Sequence, residues 1–262
     1  MTPAQEALLQ RLVAALSQDG RVKALWLSGS LGAGAGDAWS DIDLVALVSP
    51  DDLKACVADY KQPRPGLPEA VLAFDVCGVV VAAVTADWER FDIHFATRDY
   101  VDRAGGDGWR PLFGDTAIPP RPPPGPDTGA PGRVAATVTE FLRVLGLMPV
   151  AVGRQEWITA QQGFDLLRRM MIDLMLEENG HGQTARGAKR LNGFLTPGQR
   201  EALEAITPPR ADGEAVIAAN LDLARAFLAR ARPLAARVGA AWPQAFEDAT
   251  RRHLKAALSL DL

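Results

Sequence analysis

A stretch in the middle of the chain, AIPPRPPPGPDTGAPG at residues 117–132, limits the possible folds more than any other feature. Proline has no backbone N–H to donate and its φ is fixed, so this stretch cannot form a regular helix or a central strand. Short β-favouring segments precede it, and helical periodicity follows it to the end of the chain. We therefore expect an α+β domain at 1–116 with a sheet of about four or five strands, a linker at 117–132 and an all-α domain at 133–262.

Composition excludes several classes of protein. The chain has 262 residues, 48% of them apolar, and a formal net charge of −4. This size and apolar content allow two domains with buried cores. A negative net charge gives no general attraction for nucleic-acid phosphates, so we do not expect nucleic acid as a partner. The two cysteines, Cys56 and Cys77, lack the spacing of a zinc site or a disulfide framework and indicate free thiols in a reducing cytoplasm.

The first residues, MTPAQEALLQRLVAAL, predict a helix and not a secretory signal. Thr2 can cap the helix, Pro3 suits its first position, and Gln5 completes the spacing of a capping box. No run of apolar residues approaches the roughly 20 that span a bilayer. We expect a cytoplasmic protein without a membrane partner.

Two aspartates follow a glycine-rich turn in GSLGAGAGDAWSDIDLV, residues 29–45. On a strand, Asp41 and Asp43 point to one face while Ile42 and Leu44 point to the other. Two like charges this close repel each other, and Mg²⁺, which takes one or two protein carboxylates together with phosphates and water, would relieve the repulsion. Solvated acids at the start of a strand explain the same pair, and for this short motif alone that explanation is the stronger one.

A third aspartate lies in the strand-like segment RFDIHF, residues 90–95. Its apolar residues alternate with Asp92 and His94, which therefore share the other face. If this strand neighbours the one that carries Asp41 and Asp43, the three carboxylates form a metal-binding cluster. Two Mg²⁺ ions on such a cluster can stabilise the attacking and the leaving oxygens of an in-line phosphoryl displacement.

The glycine-rich turn can contact phosphates. Glycine carries no side chain and adopts unusual dihedrals, so the backbone near Gly29 and the hydroxyl of Ser30 can approach phosphate oxygens closely. The turn is not a Walker loop, because no Gly-Lys-Ser/Thr follows it. It is not a dinucleotide fingerprint either, because the required GxGxxG spacing is absent and the next long element is a strand.

Taken together, these motifs resemble those of the nucleotidyltransferase superfamily of the DNA polymerase beta type. The resemblance rests on a strand ending at Gly29-Ser30, Ser40-Asp41-Ile42-Asp43-Leu44 ten residues later, and a further strand with Asp92, all within residues 21–96. The helical remainder, with its segment ARGAKRLNGFL, is similar to the C-terminal domain of small bacterial nucleotidyltransferases of the aminoglycoside and lincosamide kind.

The resemblance implies a mixed sheet flanked by helices and an all-α second domain. It also implies an NTP, with ATP as the first candidate, bound with Mg²⁺, and transfer of its nucleoside monophosphate to a hydroxyl of a small molecule such as an aminoglycoside. By position, it implies a phosphate-binding set of Gly29, Ser30 and Ser40 and a metal-binding set of Asp41, Asp43 and Asp92. Asp92 would serve as metal ligand, as general base, or as both.

The sequence departs from the family pattern in the spacer. Many small members of the family carry a basic residue there, whereas residues 32–36 are only glycine and alanine. Lys189 and Arg190, in TARGAKRLN, would then supply the cations that contact the phosphates. A solvated helix face explains the same basic residues equally well.

The acceptor is expected against the helical domain, because small-molecule sites favour domain interfaces. In EWITAQQGFDLLRRMMIDLMLEENG, Trp157, Asp165 and Asp173 suit a cationic, hydroxyl-rich ligand, although an ordinary amphipathic helix explains the same residues. Trp88 and Glu89 are further candidates to line the cleft; a core position is the commoner outcome for a tryptophan such as Trp88, and Glu89 is an alternative candidate for the general base.

Two other functions remain open. The fold could serve as a regulatory or antitoxin-type module that binds a protein partner. The acceptor could also be a protein or an RNA, since a fold and a metal site are compatible with many acceptors. The oligomeric state is not predicted.

Overall fold

The structure is a computed structural model that describes residues 1–106, 108–119, 127–182 and 191–262. It forms two compact units, Met1–Pro124 and Gly125–Leu262. The expected α+β unit followed by an all-α unit is confirmed. The boundary between the units falls inside the proline-rich segment, whose last residues already belong to a helix that begins at Ala130.

The N-terminal unit alternates helices with strands. In chain order its elements are α1 (Pro3–Ser17), β1 (Ala24–Leu27), α2 (Gly29–Gly32), β2 (Ile42–Leu47), α3 (Pro50–Tyr60), β3 (Ala70–Val76), β4 (Val80–Thr85), β5 (Arg90–Ala96), α4 (Arg98–Ala104) and β6 (Arg110–Gly114).

These strands form one mixed sheet in the order β3-β4-β5-β2-β1-β6. β2 and β5 are parallel, and the other neighbours are antiparallel. The expectation of four or five strands was wrong, because β6 was missed. Pro111 and Gly114 argue against a central strand, but β6 lies at the edge of the sheet, where a residue without an N–H is tolerated.

One face of the sheet is covered by α1 and α3. α1 begins at the predicted capping box, in which Thr2 and Gln5 each accept a hydrogen bond from the other's backbone N–H. Its leucines are buried against the apolar side of the central strands, whose side chains alternate between the two faces. The fully buried residues of this core include Leu12, Leu16, Leu27, Ile42, Tyr60, Phe91, Ile93 and Phe95.

The opposite face of the sheet holds a smaller apolar cluster. Trp26, Val45 and Val101 are buried there, and the ring of Trp26 lies 5.7 Å from that of Trp109. Since side chains alternate along a strand, the residue two before Val45, which is Asp43, lies on this face as well.

The C-terminal unit is all helical in the ranges that the structure describes. Its helices are α5 (Ala130–Leu145), α6 (Met148–Gly153), α7 (Trp157–Glu178), α8 (Leu191–Phe194), α9 (Pro197–Ala205), α10 (Gly213–Val238) and α11 (Gln244–Leu258). Its core includes a parallel stack of Phe141 on Phe227, with 3.7 Å between the ring centroids, which joins α5 to α10.

One stretch of the described chain, Ala130–Gly153, is long and apolar enough to cross a membrane by length and composition alone. It is made of α5 and α6. Val138, Phe141 and Leu142 in this stretch are buried in the core of the C-terminal unit. Packing of a core helix therefore accounts for its composition.

Candidate active site

The sheet brings the three predicted carboxylates to neighbouring strands. In the parallel pair of β2 and β5, Asp43 lies directly opposite Asp92. Asp41 comes just before the first residue of β2, and it is half-buried like Asp43, while Ile42 between them is buried. Asp41, Asp43 and Asp92 therefore share one face at the amino ends of two adjacent strands.

The glycine-rich turn meets this face at Gly29. Gly29 has φ +59°, and a Cβ atom added to it would lie 1.9 Å from Oδ2 of Asp43. The same junction is fixed by the N–H of Ser28, which donates to the carbonyl oxygen of Asp43 at 2.8 Å. Only glycine fits here, because both the backbone dihedral and the contact with the carboxylate exclude a side chain.

The segment expected as an open turn begins with one helical turn, α2. Ser30 lies in it and is half-buried. Its carbonyl oxygen accepts from the N–H of Ala35 at 2.9 Å, and its hydroxyl forms no hydrogen bond to the part of the chain that the structure describes. The hydroxyl can therefore turn towards a ligand without breaking a protein contact.

Ser40, the third predicted phosphate-binding residue, organises the loop before Asp41. Its Oγ accepts from the N–H of Asp37 at 3.0 Å and donates to the carboxylate of that residue at 2.9 Å. Nε2 of the buried Gln5 donates to the carbonyl oxygens of Asp37 and Ser40, each at 2.9 Å. The hydroxyl of Ser40 thus has a structural partner, and its contact with a nucleotide stays a prediction.

The carboxylates of this face offer only oxygen donors to a metal ion. Among the residues described, no three His, Cys, Asp or Glu side chains lie close enough together to hold one. Mg²⁺ needs fewer protein ligands than that, because it takes one or two carboxylates and completes its shell with phosphates and water. Asp41 and Asp43 meet this lower requirement with oxygen donors on one face.

His94 lies on the same face as Asp92, two residues further along β5. Its ring packs edge-on against Tyr100, with 4.4 Å between the ring centroids. Burial lowers the pKa of His94. The imidazole is therefore neutral at pH 7 and adds no positive charge near the carboxylates.

The phosphate-binding cations and the acceptor residues predicted from the sequence belong to the second half of the chain. Lys189 and Arg190 are outside the described residues. In the C-terminal unit, Asp165 and Asp173 are exposed on α7, while the ring of Trp157 packs close to Gly213 at the start of α10. Their roles towards an acceptor stay predictions.

Glu89 is half-buried at the start of β5, and its backbone N–H donates to Oγ1 of Thr85 at 3.1 Å. The expectation that Trp88 is a core residue was wrong, since 78% of Trp88 is exposed. It sits in the short turn between β4 and β5, where residues 86–88 are all exposed.

A six-stranded mixed sheet with carboxylates on two parallel central strands, followed by a helical region, is consistent with a nucleotidyltransferase fold. The chain is similar to the aminoglycoside 6-adenyltransferase from Bacillus subtilis over 97% of its own length and 98% of that chain, with 12% identity and a TM-score of 0.44. It is also similar to a nucleotidyltransferase-like protein from Exiguobacterium sibiricum over 98% of its own length and 88% of that chain, with 9% identity and a TM-score of 0.33. These likenesses concern the fold alone. No protein-family model and no curated protein matches the sequence.

Proposed function

We propose that the protein is an Mg²⁺-dependent nucleotidyltransferase of the cytoplasm. It would transfer a nucleoside monophosphate, AMP in the first instance, from an NTP to a hydroxyl of a small molecule such as an aminoglycoside. The observation that carries the proposal is the position of Asp43, which lies opposite Asp92 across the parallel strands and against Gly29 of the turn.

The paired carboxylates support the metal part of the proposal. Carboxylate oxygens are the ligands that Mg²⁺ prefers, and the ion takes one or two of them together with phosphates and water. Asp41 and Asp43 would hold Mg²⁺. When bound, the ion would neutralise the charge that develops on the phosphate oxygens.

The turn supports the nucleotide part. Because Gly29 has no Cβ, the turn can lie directly against the carboxylate of Asp43. A triphosphate held at that carboxylate through Mg²⁺ would lie beside the turn, where the hydroxyl of Ser30 could donate to a phosphate oxygen. Lys189 and Arg190 stay the proposed source of positive charge for the remaining phosphate oxygens.

The transfer itself needs a base and correct alignment. The acceptor oxygen attacks the α-phosphorus, the bond from that phosphorus to the bridging oxygen breaks, and pyrophosphate leaves. Asp92 would accept the proton of the acceptor hydroxyl, since a carboxylate in contact with that hydroxyl can serve as a general base. Glu89, or Trp157 with Asp165 and Asp173, would contact the acceptor.

Thermal unfolding with each of the four ribonucleoside triphosphates, with and without Mg²⁺, tests this proposal. A ligand at a hundred times its dissociation constant adds about 2.7 kcal/mol, which for a chain of this size raises the unfolding temperature by roughly 5–10 °C. We expect a shift with one triphosphate that requires Mg²⁺ and is lost in Asp41→Asn. Glu69→Gln, which changes an exposed carboxylate on the same unit, is the matched control and should retain the shift.

A second measurement, pyrophosphate release with tRNA, a protein acceptor or an aminocyclitol, identifies the acceptor class. The absence of a shift with every triphosphate would refute the proposal and favour a partner-binding module. A shift that persists unchanged in Asp41→Asn would refute the metal assignment.

A further inference from the structure

A cavity of about 340 Å³ lies within the C-terminal unit. Its lining comes from the end of α5, from α6, from the first half of α7 and from α10, and most of it is apolar. Three large apolar side chains of this lining stay partly in water, since Leu147 and Leu166 are each 50% exposed and Val150 is 44% exposed. Apolar side chains that surround a concavity of this size indicate a small-molecule site.

One polar side chain interrupts the apolar wall of the cavity. Asn220 lies on α10 and lines the cavity, although only 3% of it is exposed. Val216, Leu223 and Ala224, which lie one turn before and after it on the same side of the helix, are all buried. The pattern of α10 therefore places Asn220 where an apolar residue is expected. An amide at such a position costs free energy unless its hydrogen bonds are made.

Only one end of this amide is satisfied by the chain. Nδ2 of Asn220 donates to the carbonyl oxygen of Val216 at 2.8 Å, which sets the orientation of the side chain. Oδ1 accepts no hydrogen bond from the residues that the structure describes. It is not sealed inside the protein either, because the enclosed side-chain atoms without a partner in the described ranges belong to Arg64 and Arg168. Oδ1 therefore faces the cavity as an acceptor that a ligand can satisfy.

A glycine in the middle of a helix also belongs to the wall. Gly163 lies inside the 22-residue α7 and lines the cavity. Glycine is unfavourable in a helix interior, and a close approach of another backbone is its usual reason. That reason does not apply here, because a Cβ added to Gly163 would meet no heavy atom within 4 Å. The missing side chain leaves the cavity open at a cost to the helix.

The charges around the cavity select an uncharged ligand. Arg143 is paired with Glu140 at 2.6 Å. The other charged residues of the described lining, Arg154 and Glu156, are exposed and of opposite sign. We infer that this cavity binds a small, neutral, mainly apolar molecule that donates one hydrogen bond, from an O–H or an N–H, to Oδ1 of Asn220.

This site is separate from the proposed transfer reaction. The described lining does not include Trp157, Asp165 or Asp173, the proposed acceptor contacts of the same unit. The ligand also differs in kind, because an apolar wall would desolvate the charges of a cationic, hydroxyl-rich acceptor without pairing them. The inference therefore does not rest on the proposed function.

Calorimetric titration of the full chain with matched bicyclic rings tests the inference. The probe is indole, which is neutral and donates one hydrogen bond, and the comparison is 1-methylindole, in which that donor is methylated. We expect saturable binding of indole and binding of 1-methylindole that is about fivefold weaker or more, because the methylated ring leaves Oδ1 of Asn220 without a donor. In Asn220→Leu the difference between the two rings should disappear.

Two variants separate binding from folding. Asn220→Leu should unfold at the temperature of the wild type or above it, because an apolar side chain of similar size replaces an amide in an apolar wall. Gly163→Met should fill the cavity and abolish binding of both rings while it raises the unfolding temperature, because methionine is a better helix former than glycine. Gly198→Met is the matched control, since Gly198 is an exposed glycine of α9 with equal room for a Cβ, and it should bind indole normally.

Asp41→Asn should bind indole as the wild type does, so a failure of the proposed transferase leaves this result intact, and the reverse. No saturable binding of indole, equal binding of 1-methylindole, or an unchanged preference for indole in Asn220→Leu would overturn the inference. Tighter binding of indole-5-carboxylate would overturn it too, because the arginines would then select an acid. A dimer in sedimentation that Leu147→Glu dissociates would show that a second copy of the chain covers the cavity, which also contradicts it.

Discussion

Gly29→Ala tests the central geometric claim about the site, that the turn and Asp43 touch. The substitution has two physical effects. A left-handed backbone at a non-glycine residue costs roughly 1–2 kcal/mol. The new Cβ would also lie 1.9 Å from Oδ2 of Asp43, so the carboxylate must leave its position. Forcing that side chain off its rotamer costs about 0.5–1.5 kcal/mol more.

The same turn offers a matched control in Gly34→Ala. Gly34 has φ +70°, but a Cβ added to it would meet no atom within 4 Å. It therefore carries the backbone cost without the collision. We expect Gly34→Ala to lose about 1 kcal/mol of unfolding free energy and to keep NTP binding. We expect Gly29→Ala to lose about 2–3 kcal/mol, roughly 5–10 °C in unfolding temperature, and to abolish the Mg²⁺-dependent NTP shift.

Urea denaturation gives the free energies, and thermal unfolding with NTP and Mg²⁺ gives the binding. The difference in unfolding free energy between the two variants measures the effect of the collision with Asp43, because the cost of a left-handed backbone is common to both. If Gly29→Ala and Gly34→Ala lose equal stability and both keep the NTP shift, the contact between the turn and Asp43 does not govern the site, and the reasoning is wrong.

Three further predictions concern single side chains. Asp92→Asn should lower the rate of nucleotide transfer by about 10²-fold or more, because the proposed base is lost. The unfolding temperature should change little, because no packing is removed. Pyrophosphate release measures the rate, and melting curves measure the unfolding temperature. Burial lowers the pKa of His94, so protonation of this side chain is less favourable in the folded protein than in the unfolded chain. The folded protein therefore loses stability as the pH falls below about 6.5. His94→Gln should flatten the decline in unfolding temperature between pH 7 and 5.5. Glu247 is fully buried, accepts a hydrogen bond from Trp242 and forms ion pairs with Arg232 and Arg251. Glu247→Gln should therefore lower the unfolding free energy by about 2–3 kcal/mol in urea denaturation, because both arginines lose their counter-charge. Equal stability of the Glu247 variant would show that the network contributes nothing net.

Much of the fold could be predicted because local signals agree with the global arrangement. The capping box at Thr2, the apolar periodicity of the C-terminal half, and the alternation in β5 each predict the element that forms. The amino-acid sequence of β6 does not predict a strand. Pro111 and Gly114 speak against a strand, and only the sheet's order shows that this strand is at an edge where they are tolerated.

The site was only partly predictable. Alternation alone places Asp92 and His94 on one face, but the register that sets Asp43 opposite Asp92 comes from the parallel pairing of strands far apart in the chain. The contact of Gly29 with Asp43 depends likewise on how the turn folds back. Trp88 was expected inside, since tryptophans usually are; the polar residues around it in ADWER were the signal that it lies in a turn.

The features that break local rules lie together, and this bears on where function resides. Gly29 and Trp88 have left-handed backbones, Asp43 faces Asp92 across the ladder, and Trp39 is left in water, all at the amino ends of β2 and β5. Proteins keep such local conflicts where a ligand offsets them. Trp88→Gly, which relieves the left-handed backbone of a bulky residue, should therefore leave the unfolding temperature unchanged or raise it. An unfolding temperature below that of the wild type would show that the side chain of Trp88 stabilises the turn by more than its backbone strain costs.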